Sequence, residues 1–249
     1  LQPEFGNMIR IALFGAGRMA ASFAELVHDL DDVEICAVVS LNAPDWLADP
    51  ATDIAYFDDI EQLQQLDTLP DLVLDFSLPE GTAAAATWCG QHRVALLSGV
   101  TGLESQHRQT LDIAALTAPV MWSPNLSLGI NLLASLAKQA VAALPANTHI
   151  HIHDVHHHHK KDAPSGTALM LGEKIAEARS GEMPHYSSVR EGEVIGQHEI
   201  TLEWLGESIT LTHHAFDRGV FARGALSATR WLVKQPKGRY SADDWLAGL

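Results

Sequence analysis

The sequence predicts an α/β protein, with a doubly wound parallel-sheet domain followed by a smaller α+β domain. Three observations carry this. Short apolar runs alternate with longer helical stretches through the first half, and a glycine-rich turn follows the first of those runs. Near residue 125 the alternation gives way to a long helix, alternating strands and a hairpin. At 249 residues the chain suffices for one large domain or two modest ones, and its 47% hydrophobic and 19% charged composition is that of an ordinary globular protein.

The elements follow in order. Leu1–Asn7 (LQPEFGN) reads as a non-native leader ahead of a native start at Met8. Ile9–Phe14 (IRIALF) is a buried strand, and Met19, Phe23, Leu26 and Val27 mark the apolar face of the helix after it. Val33–Val39 is a second strand, and Asp71–Phe76, Val94–Ser98 and Val120–Ser123 are further ones, with helices at Glu80–His92 and Glu104–Leu116 between them. Gly129–Leu144 is a long Ala/Leu-rich helix, while Asn147–Val155 alternates strictly, as a half-exposed strand does. Ser165–Arg179 is helical, with Pro164 in its entry and Asp162 expected to cap it. Glu199–His214 reads as a hairpin turning near Leu205–Glu207, and helices at Ala222–Val233 and Ala242–Leu249 close the chain.

Charge and cysteine usage narrow the function classes. Sixteen Lys and Arg against 31 Asp and Glu leave a formal charge of −15, which repels phosphate backbones and anionic membranes, so neither nucleic acid nor membrane is expected as a partner. No run reaches the ~18 apolar residues of a membrane span. Cys36 and Cys89 sit in apolar stretches without CxxC spacing and read as buried free thiols of a reducing compartment, which points to the cytoplasm.

Phe14-Gly15-Ala16-Gly17-Arg18-Met19-Ala20 fits G-x-G-x-x-G/A directly after a strand and at the opening of a helix. The first glycine permits the tight turn; the second lets backbone approach a pyrophosphate resting on the helix N-terminus, the arrangement of Rossmann-like domains. The carboxylate expected at the end of the second strand, which clasps the ribose 2′-hydroxyl of NAD and repels the 2′-phosphate of NADP, is absent: Ser40 and Leu41 follow Val39. NADPH and NADH are both admitted, with a lean toward NADPH.

Seven of the 14 histidines fall between His149 and His159. His149, His151 and His153 alternate along a strand and read as a solvent face or subunit contact. His156–His159 lead through Lys160-Lys161-Asp162-Ala163-Pro164 into Ser165-Gly166-Thr167. An affinity tag would be terminal, and a metal site lacks Glu or Cys at a recognised ligand spacing, so no metal is expected. A His/Lys island in an acidic chain, running into a small-residue helix start whose N–H groups can hold a carboxylate, suits a small anionic substrate, a dianion above all.

This segment, His156 through Ala168, resembles the signature of the dihydrodipicolinate (4-hydroxy-tetrahydrodipicolinate) reductase family. Asp75-Phe76-Ser77 with Pro79-Glu80-Gly81-Thr82, Gly99-Val100-Thr101-Gly102, Pro124–Asn131, Gly196 with His198, Arg218 with Phe221-Ala222 and Gly224, and Trp231 agree in order and spacing. The resemblance implies NAD(P)H-dependent reduction of 4-hydroxy-tetrahydrodipicolinate to tetrahydrodipicolinate in lysine and diaminopimelate biosynthesis. It implies a dinucleotide-binding domain of residues 8–124 with 221–249, and a substrate-binding and oligomerisation domain of residues 125–220. The expected active site lies in a cleft between them, in a homotetramer.

By the same resemblance His156 is the general acid/base and Lys160 a proton donor. His157, Ser165, Gly166 and Thr167 bind substrate. Gly15, Ala16, Gly17, Arg18 and Met19 form the pyrophosphate loop; Ser40, read from its place after the second strand rather than from the resemblance, can bond the ribose end of either nucleotide through its hydroxyl. Gly99, Val100 and Thr101, with Ser123, Pro124, Asn125 and Leu126, flank the nicotinamide end. The chain departs from the family in a shorter pyrophosphate loop, in Ala20, in Ser40-Leu41 for an acidic and basic pair, in Asp154 for Glu and in Leu126 for Phe. It also lacks a stretch between Arg179 and Val189 that longer members carry. Two alternatives stand beside this reading: a related reductase of another cyclic imine or dicarboxylate, and a non-catalytic nucleotide or metal sensor.

Overall fold

The structure is a computed structural model that describes residues 8–47 and 53–249; Leu1–Asn7, expected from the sequence to be a non-native leader, lie outside the described residues. The chain divides into two compact units: the described residues up to Leu126 together with Phe221–Leu249, and Ser127–Val220.

The first unit is a Rossmann-like sheet of seven strands, all parallel. They are β1 (Ile9–Phe14), β2 (Val33–Val39), β3 (Ala55–Phe57), β4 (Leu72–Asp75), β5 (Ala95–Ser98), β6 (Pro119–Trp122) and β11 (Gly238–Tyr240), in spatial order β11-β6-β5-β4-β1-β2-β3. The chain runs outward from β1 through β2 to β3, then returns to lay β4 on the other side of β1. The junction of β1 and β4 is therefore the topological switch point, where such sheets open a crevice at their carboxyl ends.

Two cores sandwich the sheet. Ile11 and Leu13 of β1 point into one, with Phe23 and Val27 of α1 (Arg18–Val27), Ala225 and Leu232 of α6 (Gly219–Leu232), and Trp245 of α7 (Ala242–Ala247). Ala12, between them on β1, points into the other, with Ala85 and Trp88 of α2 (Pro79–His92) and Leu111 of α3 (Ser105–Ala114). Strands buried on both faces explain the continuous apolar runs of the first half.

The second unit is a mixed four-stranded sheet, β10-β9-β7-β8. It comprises β7 (His149–His156), β8 (His185–Arg190), β9 (Gly196–Trp204) and β10 (Glu207–Ala215), with α4 (Leu128–Ala143) and α5 (Gly166–Ala178). β7 and β8 are parallel and the other pairs antiparallel. Ile150 and Ile152 of β7 and Ile200 and Leu202 of β9 pack against Leu133 and Val141 of α4 and Leu171 and Ile175 of α5. His149 and His151 are exposed on the opposite face, and His153 is half-buried with Nδ1 2.7 Å from Ser187 Oγ. The β9–β10 hairpin turns on Leu205 and Gly206, both at positive φ, as a two-residue turn demands. One expectation is corrected: the cap of α5 is Ser165, whose hydroxyl accepts from Ala168 N at 3.1 Å, and Asp162 lies upstream of it. Among the described residues no helix is long and apolar enough to cross a membrane, and Cys36 and Cys89 are buried free thiols.

Candidate active site

In the first unit the glycine turn stands at the switch point. Gly15 has φ +97°, and a Cβ there would lie 2.7 Å from the Phe76 carbonyl oxygen, so both its conformation and the approach of β4's continuation require glycine. Gly17, the N-cap of α1, differs. Its φ is −75°, no side chain caps the helix, the first turn carries no acidic residue, and a Cβ would meet nothing within 4 Å. The leading N–H groups of α1 therefore have no side-chain cap, and the space beside Gly17 is open. Arg18 is exposed and Ala16 and Met19 are half-buried beside it.

The β5 and β6 ends are drawn to the same edge. Gly99 N donates to Asp75 O (2.9 Å) and Ser123 N to Ser98 O (3.0 Å), and a Cβ on Gly99 would crowd the Phe76 ring at 2.9 Å. Val100 is buried and its carbonyl accepts from Trp122 Nε1 (2.8 Å), whereas Thr101 is exposed. Ser123 Oγ donates to Asn125 O (2.7 Å), folding Ser123–Leu126 into a tight, largely buried loop with Pro124 half-buried. Asp75, fully buried, anchors the neighbouring loop by accepting from Ser77 N (3.0 Å), Ser77 Oγ (2.6 Å) and Thr82 Oγ1 (2.6 Å). Burial nevertheless raises its pKa, against the pull of those donors.

The second site grows from the end of β7. Strand pairing sets Asp154 opposite Ser188 on one side and His198 on the other, and His156 opposite Arg190. Asp154, with no solvent exposure, sits 3.3 Å from Arg190 Nη2 and accepts from Ser165 N at 3.3 Å. Burial pushes its carboxyl up, and the Ser188 hydroxyl, the Arg190 guanidinium and Ser165 more than offset this, holding it below the usual carboxylate range.

His156, 7% exposed, brings Nδ1 to 3.2 Å from Asp154 Oδ2, close enough for ionic attraction but off the alignment of a hydrogen bond. Its Nε2 lies over Gly196, where a Cβ would approach it to 3.3 Å. Burial lowers its pKa; Asp154 pulls up, and Lys160 and Arg190 push down. The net depression leaves the imidazole neutral at pH 7. His198 packs edge-on against it with ring centres 5.1 Å apart and Nε2 3.4 Å from Ser165 Oγ. Burial first, then the neighbouring His156, drives the His198 pKa down to about 3.

The loop after β7 returns to the head of α5. Lys160 Nζ pairs with Asp162 Oδ1 at 2.9 Å, and the other oxygen of that carboxylate accepts from Gly166 N at 3.3 Å. One carboxylate thus bridges the lysine ammonium and the first helical N–H. Gly166 is exposed with open space where a Cβ would stand, and Thr167 is half-buried. His157 N donates to Val194 O (2.6 Å), while its buried Nδ1 has no hydrogen-bond partner among the described residues.

The carboxylate that the sequence lacked for a metal reading is supplied by the β8–β9 turn: Glu193 joins His158 and His159, with ligand atoms within 4.8 Å of one another, but all three are exposed. Arg190 was not singled out from the sequence, and Asp154 drew notice only as a departure. Nothing in a linear reading places residues 36 and 44 positions apart around one carboxylate.

The chain matches two family models, one described as dihydrodipicolinate reductase, N-terminus, over residues 9–126 and one described as dihydrodipicolinate reductase, C-terminus, over residues 129–246. A 4-hydroxy-tetrahydrodipicolinate reductase of Stenotrophomonas maltophilia (strain R551-3) is 40% identical over 240 residues, 96% of this chain and 98% of that one. Its counterpart in Alkalilimnicola ehrlichii is 35% identical across 95% of this chain and 98% of its own. A solved structure, the dipicolinate-bound dihydrodipicolinate reductase from Paenisporosarcina sp. TG-14, superposes with a TM-score of 0.80 at 25% identity, covering 94% of this chain and 97% of that one.

Proposed function

The chain belongs to the dihydrodipicolinate reductase family, and from that premise we propose how its own residues carry the reaction. The enzyme reduces 4-hydroxy-tetrahydrodipicolinate to tetrahydrodipicolinate in lysine and diaminopimelate biosynthesis, using a pyridine nucleotide. In balance, substrate, reduced nucleotide and one proton become tetrahydrodipicolinate, oxidised nucleotide and water.

The observation that carries the assignment of residues is the Asp162 carboxylate, gripped by Lys160 Nζ and Gly166 N. Those two groups and the head of α5 form a carboxylate receptor, and a substrate carboxylate takes the place that Asp162 fills. Ser165 holds the receptor's shape through the Ala168 N–H, Thr167 extends it, and the unpaired Nδ1 of His157 is a further polar contact for the dianion.

A reduced nicotinamide, when bound, supplies the hydride. Gly15 and Gly17, with the uncapped N–H groups of α1 and the flanking Ala16, Arg18 and Met19, hold the pyrophosphate. Ser40 stands at the ribose, and Gly99–Thr101 with Ser123–Leu126 line the nicotinamide end. Lys160 Nζ, an ammonium, offsets the negative charge that hydride addition places on the conjugated ring and yields a proton to it. His156 Nε2, neutral at pH 7, accepts and returns a proton at the reacting centre, with Asp154 steadying the imidazolium that forms. The same reading places the chain in the cytoplasm, where the thiols of Cys36 and Cys89 stay free, and in a homotetramer built on the second unit's sheet.

A coupled assay tests the reading. The upstream synthase generates substrate in place from pyruvate and aspartate semialdehyde, and NADH and NADPH oxidation are followed in separate reactions. Oxidation that requires both enzymes is the expected result. Absence of oxidation with either nucleotide, from folded protein that binds one of them, would leave the altered-substrate or sensor reading in its place.

A further inference from the structure

We propose that Asp58, at the end of β3, supplies the ribose-recognising carboxylate that β2 lacks, and that the enzyme therefore prefers NADH to NADPH. The proposal rests on the nucleotide occupying the cavity at the glycine turn. That cavity, about 620 Å³, has Gly15, Ser77, Ser40, Asn42 and Asp58 in its lining.

The backbone makes Asp58 the neighbour of Ser40. β2 and β3 are parallel with Val39 opposite Phe57, Ser40 N donates to Phe57 O (3.1 Å), and Tyr56 Oη donates to Ser40 O (2.7 Å). One step further along both strands, Ser40 and Asp58 emerge together at the carboxyl edge. In the usual arrangement the acidic side chain stands on β2 and reaches the adenosine ribose; here the adjacent strand presents it at the same edge.

The neighbouring polar groups are already engaged. Ser40 Oγ donates to Asn42 O (2.8 Å), so its proton is committed within its own turn and is not available to a phosphate. Asp59 accepts from Glu61 N (2.9 Å) as the cap of the short 3-10 turn Ile60–Gln65. Asp58 gives only its backbone N–H to Gln62 Oε1 (3.1 Å), and its carboxylate has no partner among the described residues. A carboxylate can accept from the 2′- and 3′-hydroxyls of a ribose. The lining carries further negative charge in Asp59 and Glu80, and no Lys or Arg among the described residues. A 2′-phosphate entering there meets like charge with no cation to offset it. On this proposal the preference runs opposite to the lean toward NADPH drawn from Ser40 alone.

The test is calorimetric titration of the full chain with ADP-ribose and with 2′-phospho-ADP-ribose, for the wild type, Asp58→Asn and Gly17→Ala. Wild type should bind ADP-ribose at least tenfold more tightly than its 2′-phosphate. Asp58→Asn should bring the two within about threefold, chiefly by admitting the phosphate, with an unchanged thermal midpoint. Equal or tighter binding of the 2′-phosphate by wild type, or a ratio unmoved in Asp58→Asn, overturns the proposal. Gly17→Ala separates the two layers. Loss of both ligands there, beside an unmoved Asp58→Asn ratio, removes only the role of Asp58. Full binding of both in Gly17→Ala, or no binding by wild type, removes the cavity assignment and the proposal with it.

Discussion

At His156 two influences oppose one another, and their balance sets what the residue can do. Burial disfavours the imidazolium, the Lys160 and Arg190 cations disfavour it further, and only the Asp154 carboxylate favours it. In the proposed role this makes His156 a base that is free at neutral pH yet still able to hold a proton once charge develops beside it. Arg190 has a double part: it keeps Asp154 ionised in a fully buried position, and it restrains the basicity that Asp154 lends to His156. Replacing His156 or Lys160 by alanine should lower kcat at least ~100-fold, the scale of a lost general acid or base. Affinity for the nucleotide should change no more than about threefold. Steady-state kinetics beside nucleotide titration checks this, and near-normal turnover in both variants would remove the proposed roles. The acid limb of kcat in the wild type should have its midpoint below pH 6.5, because the depressed group must be protonated to stop the reaction. A limb centred above pH 6.5 would assign it to another residue.

The strand–turn–helix element β1-Gly15-α1 separates what glycine does for the fold from what it does for a ligand. Alanine at Gly15 combines a positive φ with a contact of 2.7 Å to the Phe76 carbonyl. It should cost on the order of 2–3 kcal/mol and lower the thermal midpoint by roughly 5 °C or more. Alanine at Gly17 meets no protein atom and keeps an allowed conformation, so the cost is that of a poorer N-cap, at most about 1 kcal/mol. Its penalty falls on the pyrophosphate, and nucleotide affinity should drop at least tenfold. Thermal unfolding and calorimetry on the pair read the two effects apart; a Gly17→Ala protein that binds normally would move the pyrophosphate elsewhere. This element was legible because periodicity and glycine spacing are local. Its neighbours were less so: β3 (Ala55–Phe57) and β11 (Gly238–Tyr240) are three residues each, too short to show a period, and HYSSVR of β8 has no apolar face to alternate. The candidate site divides in the same way. The histidine run, Lys160 and Ser165-Gly166-Thr167 are contiguous and were visible. The Asp154–Arg190–His198 cluster and the approach of Ser40 to the end of β3 exist only after strands pair, so no window of the sequence contains them.

For the whole molecule, the displaced histidines predict where acid acts. His198 is 4% exposed, with its pKa driven down to about 3, and His156 and His213 are lowered as well, each first by burial. All three belong to the second unit. In the unfolded chain they titrate near 6.5. Below that pH the unfolded state binds protons that the fold refuses, so stability falls with acidification by about 1.4 kcal/mol per pH unit for each proton of difference. Other groups do not reverse the sign. Asp32, Asp154, Asp162 and Asp244 have lowered pKa values, and their stabilisation is lost only as pH falls below about 4, a lower window. Asp75 is raised by burial and opposes the trend above its unfolded value, but it is a single group and lies in the other unit from the three histidines. Acid should therefore open the second unit while the first still holds. Urea unfolding at pH 7.5 and pH 5.5 should show a lower midpoint at the acidic pH. Hydrogen exchange should report the loss of protection first in β7, β9 and α5. His198→Gln removes the most displaced of the three groups and should flatten the dependence by about one proton. A midpoint that does not move between these pH values, or exchange that begins in the seven-stranded sheet, would show that the buried histidines do not govern acid stability.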